Sequence, residues 1–170
     1  IHASQLPSLK ERADIIKNQG AKAILQLHHG GNLSLAEYLK GRDKIAPSDD
    51  KDSGSRAATL EEIDEIIKGF ANATDLAIQA GYDGVEIHGA NNYLLQQFYS
   101  GHHNRREDEW GGSREKRMKF PLAVVDAVTA IKEKYGKKEF IIGYRFSPEE
   151  THEKGLTMED TFALIDALKE

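Results

Sequence analysis

The chain contains no cysteine, no long apolar run and no excess of basic residues. Without thiols there is no disulfide framework, no thiolate nucleophile and no Cys-based metal centre; nothing points to an oxidising compartment, and the cytoplasm is the default location. Apolar stretches fall far short of the ~18 residues of a membrane span, and the start lacks a charged segment followed by an apolar one, so no membrane association is expected. Lys and Arg number 23 against 28 Asp and Glu, a net charge of -5. Together with the absence of a basic run interleaved with aromatics, this argues against a nucleic-acid partner. Also missing are a His-Glu-x-x-His pair, a Gly-x-Ser-x-Gly elbow, a Gly-x-Gly-x-x-Gly turn and a Walker loop, which removes the usual signatures of zinc, hydrolase and phosphate-loop chemistry.

What remains is ordinary for one soluble globular domain: 170 residues, 39% hydrophobic and 30% charged. Residues 8–19 read as a helix with Leu9, Ala13 and Ile16 at helical spacing, stopped by Gly20. A strand follows over 22–28, with Ile24, Gln26 and His28 on one face. Residues 30–58 read as a long loop, a possible cover over strand ends, whose charges (Asp49, Asp50, Lys51, Asp52) are solvated. Thr59 and Glu62 form a capping box for a helix carrying Ile63, Ile66, Ile67, Phe70, Ala73, Ala77 and Ile78. Residues 83–88 are a second strand, 93–99 a helical segment, and 100–112 a loop whose Arg105–Glu109 charges read as self-paired. Ser113 caps a helix to about residue 135, with Met118, Leu122, Val125, Val128 and Ile131 inward and a kink expected at Pro121. A third strand covers 139–145, and Thr157 caps a last helix holding Phe162, Ile165 and Leu168. Strands alternating with helices imply βαβ units and a parallel sheet. The chain stops at Glu170 in mid-helix pattern, and three strands leave two open edges, so the sequence reads as a piece of a longer protein.

The chemistry concentrates at strand ends. In 83–88, Val85 and Ile87 point towards covering helices while Glu86 and His88 point inward. His88, Asn91, Asn92 and Tyr93 then lie within six residues of the strand's C-terminal end, where parallel α/β proteins build active sites. Read alone, the stretch is equally a capped strand end with solvated polar groups. Gln26, amid aliphatics, is either a satisfied buried amide or a ligand-facing donor and acceptor. If the strands are parallel neighbours, Gln26, His88 and Arg145 converge on one side. An amide, an imidazole and a guanidinium suit an electron-rich, partly anionic planar ligand better than a hydrolytic reaction. The adjacent pairs His28–His29 and His102–His103 suggest a metal, but strand neighbours point to opposite faces, so His28 and His29 should not share one.

Four stretches in order, QLHHGG (26–31), EIHGANNYLLQQF (86–98), NRREDEWGGSREKRMKF (104–120) and YRFS (144–147), resemble the Old Yellow Enzyme family of FMN-dependent NAD(P)H oxidoreductases, most nearly its bacterial NADH-dependent flavin oxidoreductases. The resemblance covers nearly the whole chain. It implies a (β/α)8 TIM barrel, with residues 1–170 forming a partial FMN-binding barrel domain that holds strands 3 to 5 and their helices. By the same resemblance, Gln26 contacts the flavin's pyrimidine edge and Arg145 lies beside the isoalloxazine. His88 and Asn91 hold the carbonyl oxygen of a small enone-type substrate, Tyr93 is the proton donor, and NADH or NADPH is the reductant. The motif around Asn104, Arg106, Asp108, Trp110 and Arg117 is structural. Asn32 departs from a common Arg, and His28 from a position often small. Two alternatives stand beside this reading: a non-flavin TIM-barrel enzyme, and an inactive or weakly FMN-binding fragment prone to edge-to-edge association as a homo-oligomer.

Overall fold

The structure, a computed structural model, describes residues 2–169. In chain order it contains a 3-10 turn at Ala3–Gln5, α1 (Leu6–Lys17), β1 (Ile24–Leu27), a 3-10 turn at Gly31–Leu33, α2 (Ala36–Leu39), β2 (Ile45–Ala46), β3 (Arg56–Ala57), α3 (Leu60–Gln79), β4 (Gly84–Gly89), α4 (Leu94–Tyr99), α5 (Arg114–Lys134), β5 (Ile141–Phe146) and α6 (Met158–Ala167). The three longer strands form one parallel sheet in the order β1-β4-β5. The reading of alternating helices and parallel strands therefore holds.

Local chemistry explains where the helices begin. The Thr59 hydroxyl accepts the Glu62 N–H and the Glu62 carboxylate accepts the Thr59 N–H, which satisfies two donors that a helix start leaves free. Glu62 also receives two hydrogen bonds from Arg56, at 2.7 and 2.8 Å. That pairing, with Arg56 as the largest cause, holds the Glu62 carboxyl down at about 2. Thr157 and Asp160 form the same reciprocal box on α6, while at α5 the Ser113 hydroxyl accepts the Lys116 N–H. Helix α5 stays continuous across Pro121.

Register puts Leu25, Val85 and Ile142 in one rung and Leu27, Ile87 and Tyr144 in the next, all on the helix-covered face. Val85 and Ile87 are completely buried there, packed with Ile63, Phe70 and Ala77 of α3 and Phe120, Val124 and Val128 of α5. Each such aliphatic or aromatic side chain contributes about 1.5–3 kcal/mol by leaving water. The opposite face carries Ile24, Gln26, Glu86, His88, Gly143 and Arg145; Ile24 and Ile141 are exposed on it.

Four expectations need correction or completion. Residues 30–58 are not plain loop: α2 and the two-residue parallel pair β2–β3 fold within them. Helix α5 buries Phe120, Pro121, Val124 and Val128 most deeply, because it serves two cores; Met118 and Leu122 line a second one with Tyr99, Leu156 and Leu164. On α6 it is Leu164, not Phe162, that is buried. The charged 105–109 stretch is only partly self-paired. Arg106 binds Asp108 at 2.6 Å, but it also donates to the carbonyls of Pro47 and Ala58, and Arg105 donates to that of Asp49. This ties two loops together, and Asn104 closes its own loop by donating to Phe98 and Trp110 carbonyls.

Candidate active site at the strand ends

β4 delivers His88 at its C-terminal end, and the chain then turns through Asn91 and Asn92, both in the left-handed region (φ 55° and 59°). Asparagine tolerates this conformation better than other residues with a Cβ. The Asn91 N–H is received by the Ser147 hydroxyl at 3.0 Å. The double turn swings Tyr93 back over the strand, in extended conformation just before α4. Its ring centroid lies 5.1 Å from that of His88 and 4.8 Å from that of His28.

His88 is 3% exposed and its Nδ1 has no hydrogen-bond partner. Burial, then the nearby Arg145 cation and His28, hold its pKa below the ordinary imidazole value. The ring is neutral at physiological pH and offers one N–H donor. Arg145 sits beside it in register on β5 and forms no ion pair among the described residues. One rung lower, Gln26, Glu86 and Gly143 are aligned across β1, β4 and β5. The Gln26 amide donates to the Glu86 carboxylate at 2.5 Å. A Cβ built on Gly143 would meet nothing nearer than 3.8 Å, so the floor of the face is bare there.

Of the residues singled out from sequence, His88 and Tyr93 are in ring contact, and Arg145 adjoins His88. Gln26 shares their face but is one rung lower, on the far side of β4 from Arg145, and Asn91 is exposed on the loop. Sequence reasoning assigned no role to Glu86, which meets Gln26, or to His28, which packs on Tyr93. Alternation had placed both on the inward face; only their contacts were missing. An open cleft of about 280 Å³ beside this cluster, between the end of β1 and α3, is lined by Gln26, His28, His29, Ile66 and Phe70. His88, Tyr93 and Arg145 do not border it, because their face of the sheet is open. His29 is turned away, its Nδ1 accepting the Gly31 N–H at 3.1 Å; burial, foremost, lowers its pKa to about 4. Among the described residues no group of three His, Asp or Glu side chains is arranged to hold a metal ion, and no helix is long and apolar enough to cross a membrane.

Parallel βα units with polar side chains gathered at the strand ends are the arrangement from which α/β barrels are built. A sequence profile of the NADH:flavin oxidoreductase / NADH oxidase family matches residues 1–170, and the chain belongs to that family. A probable NADH-dependent flavin oxidoreductase of Bacillus subtilis is 52% identical over 97% of this chain, which spans 45% of that protein. An NADH:acrylate oxidoreductase of Vibrio harveyi is 46% identical over 97% of the chain, which spans 17% of it. The structure of Old Yellow Enzyme from a Pichia species superposes with a TM-score of 0.79 at 31% identity, covering 93% of this chain and 44% of that one. The chain thus spans less than half the length of these relatives.

Proposed function

We propose that these residues form the substrate end of an FMN-dependent NAD(P)H oxidoreductase of the ene-reductase type, acting on the alkene of an α,β-unsaturated carbonyl compound. The observation that carries the reading is the buried His88, with an unpartnered Nδ1, in ring contact with Tyr93 and in register with Arg145. The exposed face suits the cofactor: an amide at Gln26, a cation at Arg145 and the bare floor at Gly143 fit a flat, polar-edged ring system. Gln26 would hold its pyrimidine edge, and Arg145 would favour negative charge on it.

When bound and reduced by NADH or NADPH, FMN would supply the hydride equivalent that the β-carbon of the alkene takes up. His88, as a neutral N–H donor, and the Asn91 amide hold the carbonyl oxygen and stabilise the negative charge that develops there. Tyr93 gives its phenolic proton to the α-carbon. The Vibrio relative is named for acrylate, whose alkene is conjugated to a carboxylate; such acids are a second substrate type to assay.

Rapid-mixing kinetics of the two half-reactions in the full-length, FMN-loaded protein test the assignment. Tyr93→Phe slows alkene reduction by about 10²- to 10⁴-fold and leaves flavin reduction by NAD(P)H near normal. Equal loss in both half-reactions would overturn the role of Tyr93. A second reading concerns the 170 residues taken alone: β1 and β5 are edge strands of the described sheet and Ile24 and Ile141 are exposed, which favours weak or no FMN binding by this piece. Visible absorbance after addition of FMN and gel filtration decides between them.

A further inference from the structure

Helix α4 is six residues long and all six side chains are buried, although two of them, Gln96 and Gln97, are amides. Buried amides must find partners, and these two find them on three different loops. Gln97, with no exposed surface, accepts the Asn32 N–H at 3.1 Å and donates to the Asn32 side-chain oxygen at 2.7 Å and to the Asn92 carbonyl at 2.5 Å. Gln96 accepts the Asn92 N–H at 2.8 Å and donates to the Glu150 carboxylate at 2.6 Å. The other Glu150 oxygen receives the Ser100 hydroxyl at 2.6 Å and the Leu156 N–H at 3.0 Å. Asn92, gripped at both its N–H and its carbonyl, is one of the two left-handed residues of the turn that aims Asn91 and Tyr93. A conformation that a residue with a Cβ disfavours persists only where its surroundings over-determine it. Gly31 belongs to the same joint: it has φ 59°, and a Cβ there would collide with the Gln97 amide.

We infer that Gln96 and Gln97 are positioning residues that staple the loops following β1, β4 and β5 into one unit and thereby set where Asn91 and Tyr93 stand relative to His88 and Arg145. The inference rests on the roles proposed above for Asn91 and Tyr93. Neither glutamine touches the open sheet face; each acts through the backbone of Asn92. The link to Glu150 also explains why the substrate loop is joined to the loop that leaves the Arg145 strand, with Ser147 and Asn91 as its second tie.

A charge swap tests this. Gln96→Glu sets two carboxylates against each other, whereas Gln96→Glu combined with Glu150→Gln restores the donor and acceptor in reversed direction and leaves Ser100, Leu156 and Asn92 their acceptors. In the full-length, FMN-loaded protein, Gln96→Glu weakens cyclohexanone binding about 10-fold and slows cyclohexenone reduction about 10- to 100-fold, the scale of a small misplacement of reacting groups. Flavin reduction by NADH stays within about 2-fold, since that step does not use Asn91 or Tyr93. Backbone hydrogen exchange over residues 90–93 and 147–156 rises in the single variant, and all these readouts recover in the double variant. Lack of recovery, or equal loss in both half-reactions, overturns the staple. Should Gln96→Glu not fold, Gln96→Met keeps the bulk of the side chain and removes its bonds to Asn92 and Glu150, and unchanged exchange over 90–93 in that variant counts against the inference. Asn91→Ala separates the two levels: if it leaves ketone binding and alkene reduction unchanged, the role of Asn91 fails, while the exchange recovery still decides the staple.

Discussion

Two clusters of three rings stand in this chain, one of two histidines and a tyrosine and the other of three histidines, and they differ in where they sit. His28, His88 and Tyr93 meet at the C-terminal ends of β1 and β4, with centroids 4.8–6.1 Å apart. His102, His103 and His152 meet at 4.4–6.1 Å between the loop after α4 and the loop after β5, with His102 and His152 stacked. In the first, the buried ring faces a cation on a neighbouring strand and an open sheet face. In the second, His102 Nδ1 lies 3.2 Å from the Glu153 carbonyl, and the pKa of His103, lowered mainly by burial, is pulled back upward by Glu150 and Asp50. Both contain a buried, unpartnered imidazole nitrogen, so that feature by itself does not mark a catalytic site. Position on the rigid sheet, beside other inward-pointing polar groups, separates a cluster that can act on a ligand from one that joins two loops.

The sharpest way to break this contrast is to remove one buried ring from each cluster. His88→Ala lowers the rate of alkene reduction by about 10²- to 10³-fold, the usual loss for one donor to a developing oxyanion, whereas His103→Ala changes it by less than about 3-fold. Comparable losses would make the second cluster part of the reaction.

Next in size is an effect of pH on stability. His29, next to His28 in the chain, has a folded pKa of about 4 against an ordinary value of 6.5. The unfolded chain therefore binds the proton first as pH falls, so stability is full above pH 6.5 and is lost between pH 6.5 and 4, by on the order of 3 kcal/mol. The lowered pKa values of His88 and His103 act with the same sign. Urea unfolding at pH 7 and pH 4.5 measures the loss, and His29→Asn, which keeps an acceptor for the Gly31 N–H, makes the profile flatter.

Asn104→Ala then tests whether the loop carrying the second cluster is structural. It strips a buried carbonyl, that of Phe98, and a part-buried one, that of Trp110, of their donor and costs about 1–3 kcal/mol in urea unfolding, with the flavin half-reactions unchanged. The smallest effect is expected from His152→Ala. Its residue is exposed, stacked on His102 and edge-on to His103, so stability shifts by less than about 1 kcal/mol.

Much of the fold was legible because it is encoded locally. The Thr59 capping box, the apolar stripe of α3 and the alternation of Val85 and Ile87 against Glu86 and His88 all depend on residues within four positions of one another. The β2–β3 pair escaped notice because nothing local supports two-residue strands. They are held by Arg56 on Glu62 and by Arg106 reaching the Pro47 and Ala58 carbonyls from 59 and 48 residues away. The inward residues expected on α5 all pack in one of its two cores, but Phe120 and Val124 were missed because a helix that serves two cores has no single stripe.

At the candidate site the division is the same. The sequence by itself determined which residues face inward at the strand ends, since a period of two leaves no other choice once the strands are recognised. The four motifs in order were sufficient to indicate the family. Tertiary structure alone decided that Gln26 meets Glu86 across 60 positions, that His28 packs on Tyr93, and that Gln96 and Gln97 reach Glu150 and Asn32 across 54 and 65. Contacts between residues so far apart are chosen by strand order and register, and these depend on how all the helices bury their apolar faces at once rather than on any local pattern.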